Sequence, residues 1–146
     1  MLHTISDEFL EGILERNGVA PEQKAAIKKH AAVQRRLVSA MLATQPVEDE
    51  IPLITDEEFK KAPPALELSG MFYEKDITYN PEEYGAHLRE IKKFEKESPN
   101  YTLKQGSAHA FRNLQIFIHQ GQWAMVSKGK APAVHFVIRH QSCEAP

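Results

Sequence analysis

The chain has 146 residues, of which 42% are hydrophobic and 26% charged, with a formal net charge of −2. This length fits one compact domain or a core with an appendage, and the composition is typical of a globular protein. No apolar run reaches the roughly 18 residues of a membrane-spanning helix, and the N-terminus lacks the regions of a signal peptide. A single cysteine, Cys143, excludes an internal disulfide and a cysteine-rich zinc site, so we expect a cytoplasmic protein.

Charge is distributed unevenly along the chain. Residues 44–100 hold seven Lys or Arg against fourteen Asp or Glu, whereas residues 101–146 hold five against one. The acidic middle and the basic end are expected to attract each other within the protein. Alternatively, the basic end binds an anionic ligand or a phosphate.

Residues 1–44 predict a helical N-terminal segment. A helix over 5–16 ends at Asn17-Gly18, and Pro21 suits the first turn of a second helix that runs to about Thr44. This second helix has a thin, alanine-rich apolar stripe, which fits a dimerisation arm. Its opposite face is basic and is either exposed to solvent or a phosphate-binding surface. The cations of this face are Lys24, Lys28, Lys29, Arg35 and Arg36.

Residues 45–66 predict a connector. Four prolines and a cluster of acids there are expected to interrupt any regular core element. Thr55 and Glu58 match a capping box, which predicts a short helix over 56–61.

Residues 67–141 predict an α+β domain, followed by a tail over 142–146. A short strand is expected within 67–78, and Asn80-Pro81 predicts a helix that ends near Ser98. The fold class is thus an N-terminal helical segment followed by a β-α-β-β-β domain with a mainly antiparallel sheet. The last four strands are expected over 101–105, 113–120, 122–127 and 133–140.

Both faces of this predicted sheet are apolar, so both should be covered. The helix over 81–98 covers one face, and the N-terminal helices or a second copy cover the other, which predicts a homodimer. A two-residue turn at Gln120-Gly121 would place Trp123 and Met125 on the same face as Ile116 and Ile118.

The last strand carries a polar pair. Alternation places His135 and Arg139 on one face and His140 on the other. Because residues 101–141 contain no Asp or Glu, this pair suits an anion or a partner's carboxylate better than catalysis. The candidate ligand-binding residues are Tyr73, Trp123, Lys128, Lys130, His135 and Arg139.

Sequence motifs for catalysis, metals and cofactors are lacking. The seven histidines form no HExxH or HxH pattern, and neither GxGxxG nor GxxxxGK[ST] occurs. We therefore assign no catalytic residue, no metal and no cofactor. An alternative is a small nuclease-like enzyme acting on phosphodiesters, for which the chain offers His119, Lys128, Lys130, His135 and Arg139.

Three stretches carry a family resemblance: FRNLQI, the W-x-x-V-S-K pattern from Trp123, and PAVHFVIRH near the end of the chain. Over residues 67–141 the sequence resembles the C-terminal, non-DNA-binding domain of bacterial Cro/repressor-like helix-turn-helix transcriptional regulators. The resemblance implies a regulatory module that senses a ligand or a partner protein through its sheet and oligomerises. Such regulators carry more N-terminal helices than residues 1–43 predict, and this departure argues against DNA binding by the chain. Direct DNA binding through the basic helix 21–44 is the second alternative.

Overall fold

The protein has an α+β fold with an antiparallel three-stranded sheet. The chain forms two compact units: unit 1 contains Met1–Leu66 and Asp76–Ser107, and unit 2 contains Glu67–Lys75 and Ala108–Pro146. The structure, a computed structural model, describes residues 2–66, 76–106, 114–120, 122–128 and 134–139.

Unit 1 contains the helices. A short 3₁₀ helix over Leu2–Thr4 precedes the longer helices, which confirm those predicted over 5–16, 21–44, 56–61 and 81–98. Their observed bounds are Asp7–Arg16 (α1), Pro21–Leu42 (α2), Asp56–Lys61 (α3) and Pro81–Glu97 (α4).

Local sequence signals set these helix ends. The side chains of Ser6, Thr55 and Asn80 each accept a hydrogen bond from a backbone N–H in the first turn of the following helix. Thr55 and Asn80 form complete capping boxes, as the sequence predicts at Thr55. After α1 the chain turns at Gly18, whose φ of +66° lies in the left-handed region that favours glycine.

The core of unit 1 lies where the N-terminal segment, α1, α2 and α4 meet. Each of these elements contributes large side chains that are less than 2% exposed, so the helices fold as one packed body. The fully buried side chains are Leu2, Ile5, Leu10, Ile13, Leu14, Ile27, Ile77 and Ile91.

Unit 1 also contains a pair of parallel strands. One of them lies within residues 45–66, so the prediction that this segment contains no regular core element is wrong. Strand β1 (Val47–Pro52) pairs with β2 (Tyr101–Gly106), from Val47 opposite Tyr101 to Pro52 opposite Gly106. Within β1 the burial alternates, with Ile51 buried while Glu48 and Glu50 face solvent. Glu48 and Glu50 therefore occupy the exposed positions of a half-buried strand, and Pro52 falls at the strand's end.

Unit 2 contains the antiparallel sheet, in the order β3-β4-β5. The strands are β3 (Leu114–His119), β4 (Trp123–Lys128) and β5 (Val134–Ile138). His119 pairs directly with Trp123, so the β3–β4 loop has three residues rather than the predicted two.

This one-residue difference reverses the predicted faces of β4. Paired residues of an antiparallel ladder share a face. Val126 therefore lies on the face of Ile116 and Phe136, and Ala124 on the face of Ile118 and Ile138. Trp123 and Met125 lie on the opposite face, so their predicted place beside Ile116 and Ile118 is wrong.

The grouping of elements differs from the predicted division at residue 66. Both α4 and β2 belong to unit 1, because β2 pairs with β1 and contacts α4. The β-α-β-β-β order therefore does not form one sheet in the described residues. The strand predicted within 67–78 falls largely on residues 67–75, outside the described part, as does the predicted tail over 142–146.

Candidate functional site

The predicted ligand site on the sheet is described only in part. Tyr73 and Lys130, and the side chains of Lys128 and His135, lie outside the described residues. Arg139 follows β5 and is exposed. The described part of the structure therefore leaves the pairing of His135 with Arg139 as a prediction.

Trp123 lies beside a histidine that the predicted ligand site did not include. Its ring stacks on the ring of His119 with centroids 6.0 Å apart and an interplanar angle of 22°. The Nδ1 atom of His119 is buried and has no hydrogen-bond partner among the described residues. Because these two residues are paired across the ladder, only the observed register predicts this contact.

One face of the sheet exposes a continuous set of large apolar side chains, which we call the apolar sheet face. It consists of Ile116, Ile118, Phe136 and Ile138, with exposed fractions of 46, 70, 61 and 48%. The two residues of β4 between them, Ala124 and Val126, are half-buried. A set of this kind is unusual on the surface of a monomer.

The opposite face of the sheet exposes fewer large apolar side chains among the described residues. Phe117 and Val137 are exposed there, at 45 and 59%, while Met125 and Trp123 are half-buried. Both faces of this three-stranded sheet thus carry exposed apolar groups, with the greater number on the apolar sheet face.

The basic face predicted on α2 is partly neutralised by α1. Lys24 Nζ lies 2.9 Å from Glu11 Oε1, and Lys28 also pairs with Glu11. The hydrogen bonds from Lys28 and Lys24 hold the pKa of Glu11 below its usual value. Arg35 pairs with Asp7 and donates to the Ile5 carbonyl.

The other two predicted cations, Lys29 and Arg36, differ from these. Among the described residues neither lies within ion-pair distance of an acid, and Arg36 donates only to the carbonyl of Ala32 in its own helix. The predicted nucleic-acid surface therefore has two parts. Three of its cations bind acids of α1 or the Ile5 carbonyl, whereas Lys29 and Arg36 have no acidic partner among the described residues.

The apolar stripe predicted on α2 is divided as well. Ile27 and Ala31 are buried in unit 1. Val33, Leu37 and Met41 instead expose 41, 59 and 40% of their surface, and we call these three the outer α2 stripe. Residues four apart line up along one side of a helix, so the stripe is continuous.

Sequence reasoning missed a cluster of His3, Asp49 and Tyr101. The Tyr101 hydroxyl donates to Asp49 Oδ2 at 2.6 Å, and His3 Nε2 lies 3.3 Å from the same oxygen. The distance to His3 is that of an ion pair, although Nε2 is buried without a well-aligned hydrogen bond. The rings of His3 and Tyr101 both meet Phe94 edge-on.

Electrostatics in this cluster favour an ionised Asp49. Burial opposes its charge, but the contacts with His3 and Tyr101 outweigh that effect and hold the pKa of Asp49 below its usual value of 3.8. Burial, together with the Asp49 charge, raises the pKa of Tyr101. The alternation in VEDEIP was the one available signal, since it places Asp49 on the same side as Ile51.

A second missed group surrounds His87, which is 5% exposed. Its Nε2 lies 3.0 Å from Thr4 Oγ1, and its Nδ1 lies 2.7 Å from the Tyr79 hydroxyl. A neutral imidazole donates at one nitrogen and accepts at the other, so both contacts are satisfied without a charge. His87 of α4 therefore links the N-terminal segment, through Thr4, to Tyr79, which lies just before α4.

Neither cluster forms a metal site. Within the described ranges, no three His, Cys, Asp or Glu side chains converge as metal ligands. Two open clefts lie in unit 1. The first, of about 320 Å³, lies between the C-terminal ends of α2 and α4, and the second, of about 610 Å³, lies between α1 and α4.

Comparison with other proteins identifies no relative: no family model, curated protein or solved structure matches the chain. The resemblance to transcriptional regulators stays a prediction. In the described part of the chain, every helix is too short or too polar to cross a bilayer.

Proposed function

We propose that the protein is a non-enzymatic regulatory binding module that works as a homodimer, with the apolar sheet face as its association surface. The observation that carries the proposal is the exposure of Ile116, Ile118, Phe136 and Ile138 on one face of one sheet. The resemblance of residues 67–141 to the non-DNA-binding domain of transcriptional regulators agrees with this role.

An isolated three-stranded sheet is unstable in water unless another layer packs against it. Three antiparallel strands in water require an apolar face that is buried against another layer. Among the described residues, apolar side chains are exposed on both faces of the sheet. Covering the more apolar face removes the larger share of this exposed surface.

A second copy of the chain is the occupant that matches this surface. The described side chains of the apolar sheet face are all aliphatic or aromatic and carry no charge that would select an ionic partner. The register adds one cation to this face, at its end, because Lys128 pairs with Leu114 and Val134. The apolar centre of the face is complementary to itself, and a two-fold axis places it against its own copy. Two sheets packed in this way form a sandwich.

The size of the effect sets the expected affinity. The exposed fractions of the four side chains amount to a little more than two whole side chains per copy. Burying these in both copies contributes about 9 kcal/mol, from which the cost of association, at least about 4 kcal/mol, is subtracted. We therefore expect a dissociation constant of about 200 µM, at about −5 kcal/mol.

Sedimentation velocity of the full chain, from about 10 to about 500 µM, tests the proposal across that range. We expect a monomer–dimer equilibrium that Ile118→Asp abolishes and that Val137→Asp, on the opposite face, leaves within about threefold. These two residues expose 70 and 59% of their surface, so both substitutions should leave the fold intact. A chain that stays monomeric at the highest concentration, or a dimer insensitive to Ile118→Asp, refutes the proposed association surface.

A further inference from the structure

The outer α2 stripe is a second apolar surface, and it belongs to unit 1. Val33, Leu37 and Met41 recur at every fourth residue, which places them along one side of a 22-residue helix. This side differs from the one that carries the buried Ile27 and Ala31, so α2 has two apolar sides, of which unit 1 covers one.

Positive charge accompanies the stripe along one flank. Lys29 and Arg36 are seven residues apart, which is about two turns or 10 Å along the helix axis. Among the described residues they are the α2 cations without an acidic partner, because Lys24, Lys28 and Arg35 pair with acids of α1. The other flank carries His30 and Gln34, whose side chains hydrogen-bond to each other at 3.0 Å.

This distribution disfavours a second copy of α2 as the occupant. An antiparallel two-fold pair that overlaps the stripes is centred on Leu37 and sets each flank against its own copy, so Arg36 would lie only about 3 Å along the axis from the Arg36 of the second copy. Like charges in that position are destabilising. Glu22 lies on the same flank but about 22 Å along the axis from Leu37, too far to neutralise the pair.

Duplex DNA is disfavoured for a different reason. Affinity for a phosphate backbone grows with the number of cations that reach it, and this side of α2 offers two. Beside Arg36 lies Leu37, which is 59% exposed and would lose little water against phosphates.

We propose that the outer α2 stripe, with Lys29 and Arg36, binds an acidic amphipathic helix of a partner protein. The partner helix would carry apolar residues at three- and four-residue spacing and Asp or Glu seven residues apart on one flank. Apolar contacts along the stripe give the affinity, and the two cations select the flank and the direction of the bound helix. This proposal goes beyond the homodimer and rests on unit 1 alone.

A displayed library of helical peptides provides the probe. Each member has a fixed leucine stripe, and its flank positions are randomised among Glu, Gln and Lys. Selection uses the full chain, with the Leu37→Asp variant as the counter-selection. We expect Glu at the flank positions opposite Lys29 and Arg36, and we expect Lys there when the Lys29→Glu/Arg36→Glu double variant is the target.

Fluorescence anisotropy then measures the selected peptide against the full chain. Leu37→Asp, or the milder Leu37→Gln, should weaken binding at least about tenfold. The control Leu53→Asp, at a residue that is 55% exposed and lies outside α2, should change it by less than about twofold. Helical circular dichroism of each variant shows that α2 remains folded.

Three results overturn the proposal. The first is selection of peptides without a preference for Glu, or with the same preference on the charge-reversed chain. The second is self-association of the chain that Leu37→Asp abolishes and Ile118→Asp preserves, which assigns the stripe to a second copy. The third is displacement of the peptide by duplex DNA at physiological salt, which assigns the surface to nucleic acid.

Discussion

Replacing Tyr101 by Phe isolates one hydrogen bond to a charged group in unit 1. The ring is 3% exposed and packs edge-on against Phe94, with centroids 4.9 Å apart, so Phe retains these contacts. The substitution removes only the hydroxyl that donates to Asp49 Oδ2 at 2.6 Å. A hydrogen bond to an ionised group contributes about 1.5–3 kcal/mol, and we expect the lower half of that range because the Asp49 side chain is 27% exposed.

The loss should depend on pH with a definite sign. The contacts with His3 and Tyr101 together hold the folded-state pKa of Asp49 below 3.8, so the stabilisation that depends on the Asp49 charge is fully present above that pH. The stabilisation is lost as the pH falls through the lowered pKa. The difference in unfolding free energy between wild type and Tyr101→Phe should therefore be about 2 kcal/mol at neutral pH and shrink in acid.

Urea unfolding followed by helical circular dichroism, between about pH 7 and about pH 2.5, measures this difference, since every described helix lies in unit 1. Tyr79→Phe is the matched control, because its hydroxyl hydrogen-bonds to the His87 ring, at 2.7 Å from Nδ1. That variant should lose about 1 kcal/mol, with no decrease around the pKa of Asp49. A Tyr101→Phe deficit that stays constant into acid would show that the Asp49 charge does not carry the stabilisation.

Two further predictions concern backbone and strand positions of unit 1. Gly12→Ala should raise the unfolding free energy by about 0.5–1 kcal/mol, because Gly12 lies within α1 and a Cβ there meets nothing within 4 Å. Gly18→Ala should lower it by about 1 kcal/mol, because φ is +66° there, and equal effects at the two glycines would contradict this reasoning. Ile51→Ala should cost about 2–4 kcal/mol if β1 is a core strand, since Ile51 is 7% exposed. Leu53→Ala, at 55% exposure, serves as its control and should change stability by less than about 0.5 kcal/mol in the same urea titration; a similarly small effect at Ile51 would refute the core strand.

The helices could be predicted because their signals are local. Ser6, Thr55 and Asn80 lie next to the helices that they cap, and Gly18 lies next to the end of α1. A capping residue and its first-turn N–H are three positions apart, so a short window of sequence contains the whole interaction. The bounds of α3 and α4 follow from such windows to within a residue.

The strand β1 could not be predicted in the same way, because its partner is distant. Val47 pairs with Tyr101, and no local pattern specifies that pairing. The acids of β1 also resemble a solvated linker until the alternation of Asp49 and Ile51 with their exposed neighbours is recognised. The faces of β4 depended on one residue of loop length, which the sequence HQGQ leaves open.

The candidate surfaces followed from the sequence only in outline. Basic residues on α2 were predicted together, yet tertiary contacts with α1 separate Lys29 and Arg36 from the other three. His3 and Asp49 carry no motif and meet because the first residues of the chain pack against the β1–β2 pair. Such contacts depend on packing between elements, which periodicity within one element does not determine.

The pairing of β1 with β2 also has a consequence for synthesis on the ribosome. The partner of Val47 is made 54 residues later, a delay of about 3–11 s at translation rates of about 5–20 residues per second. During this time the segment 47–52 has no strand partner, and unpaired strand edges are templates for edge-to-edge aggregation. Glu48, Asp49 and Glu50 keep it charged until β2 emerges, so the acids that made this strand hard to recognise protect the unfinished chain.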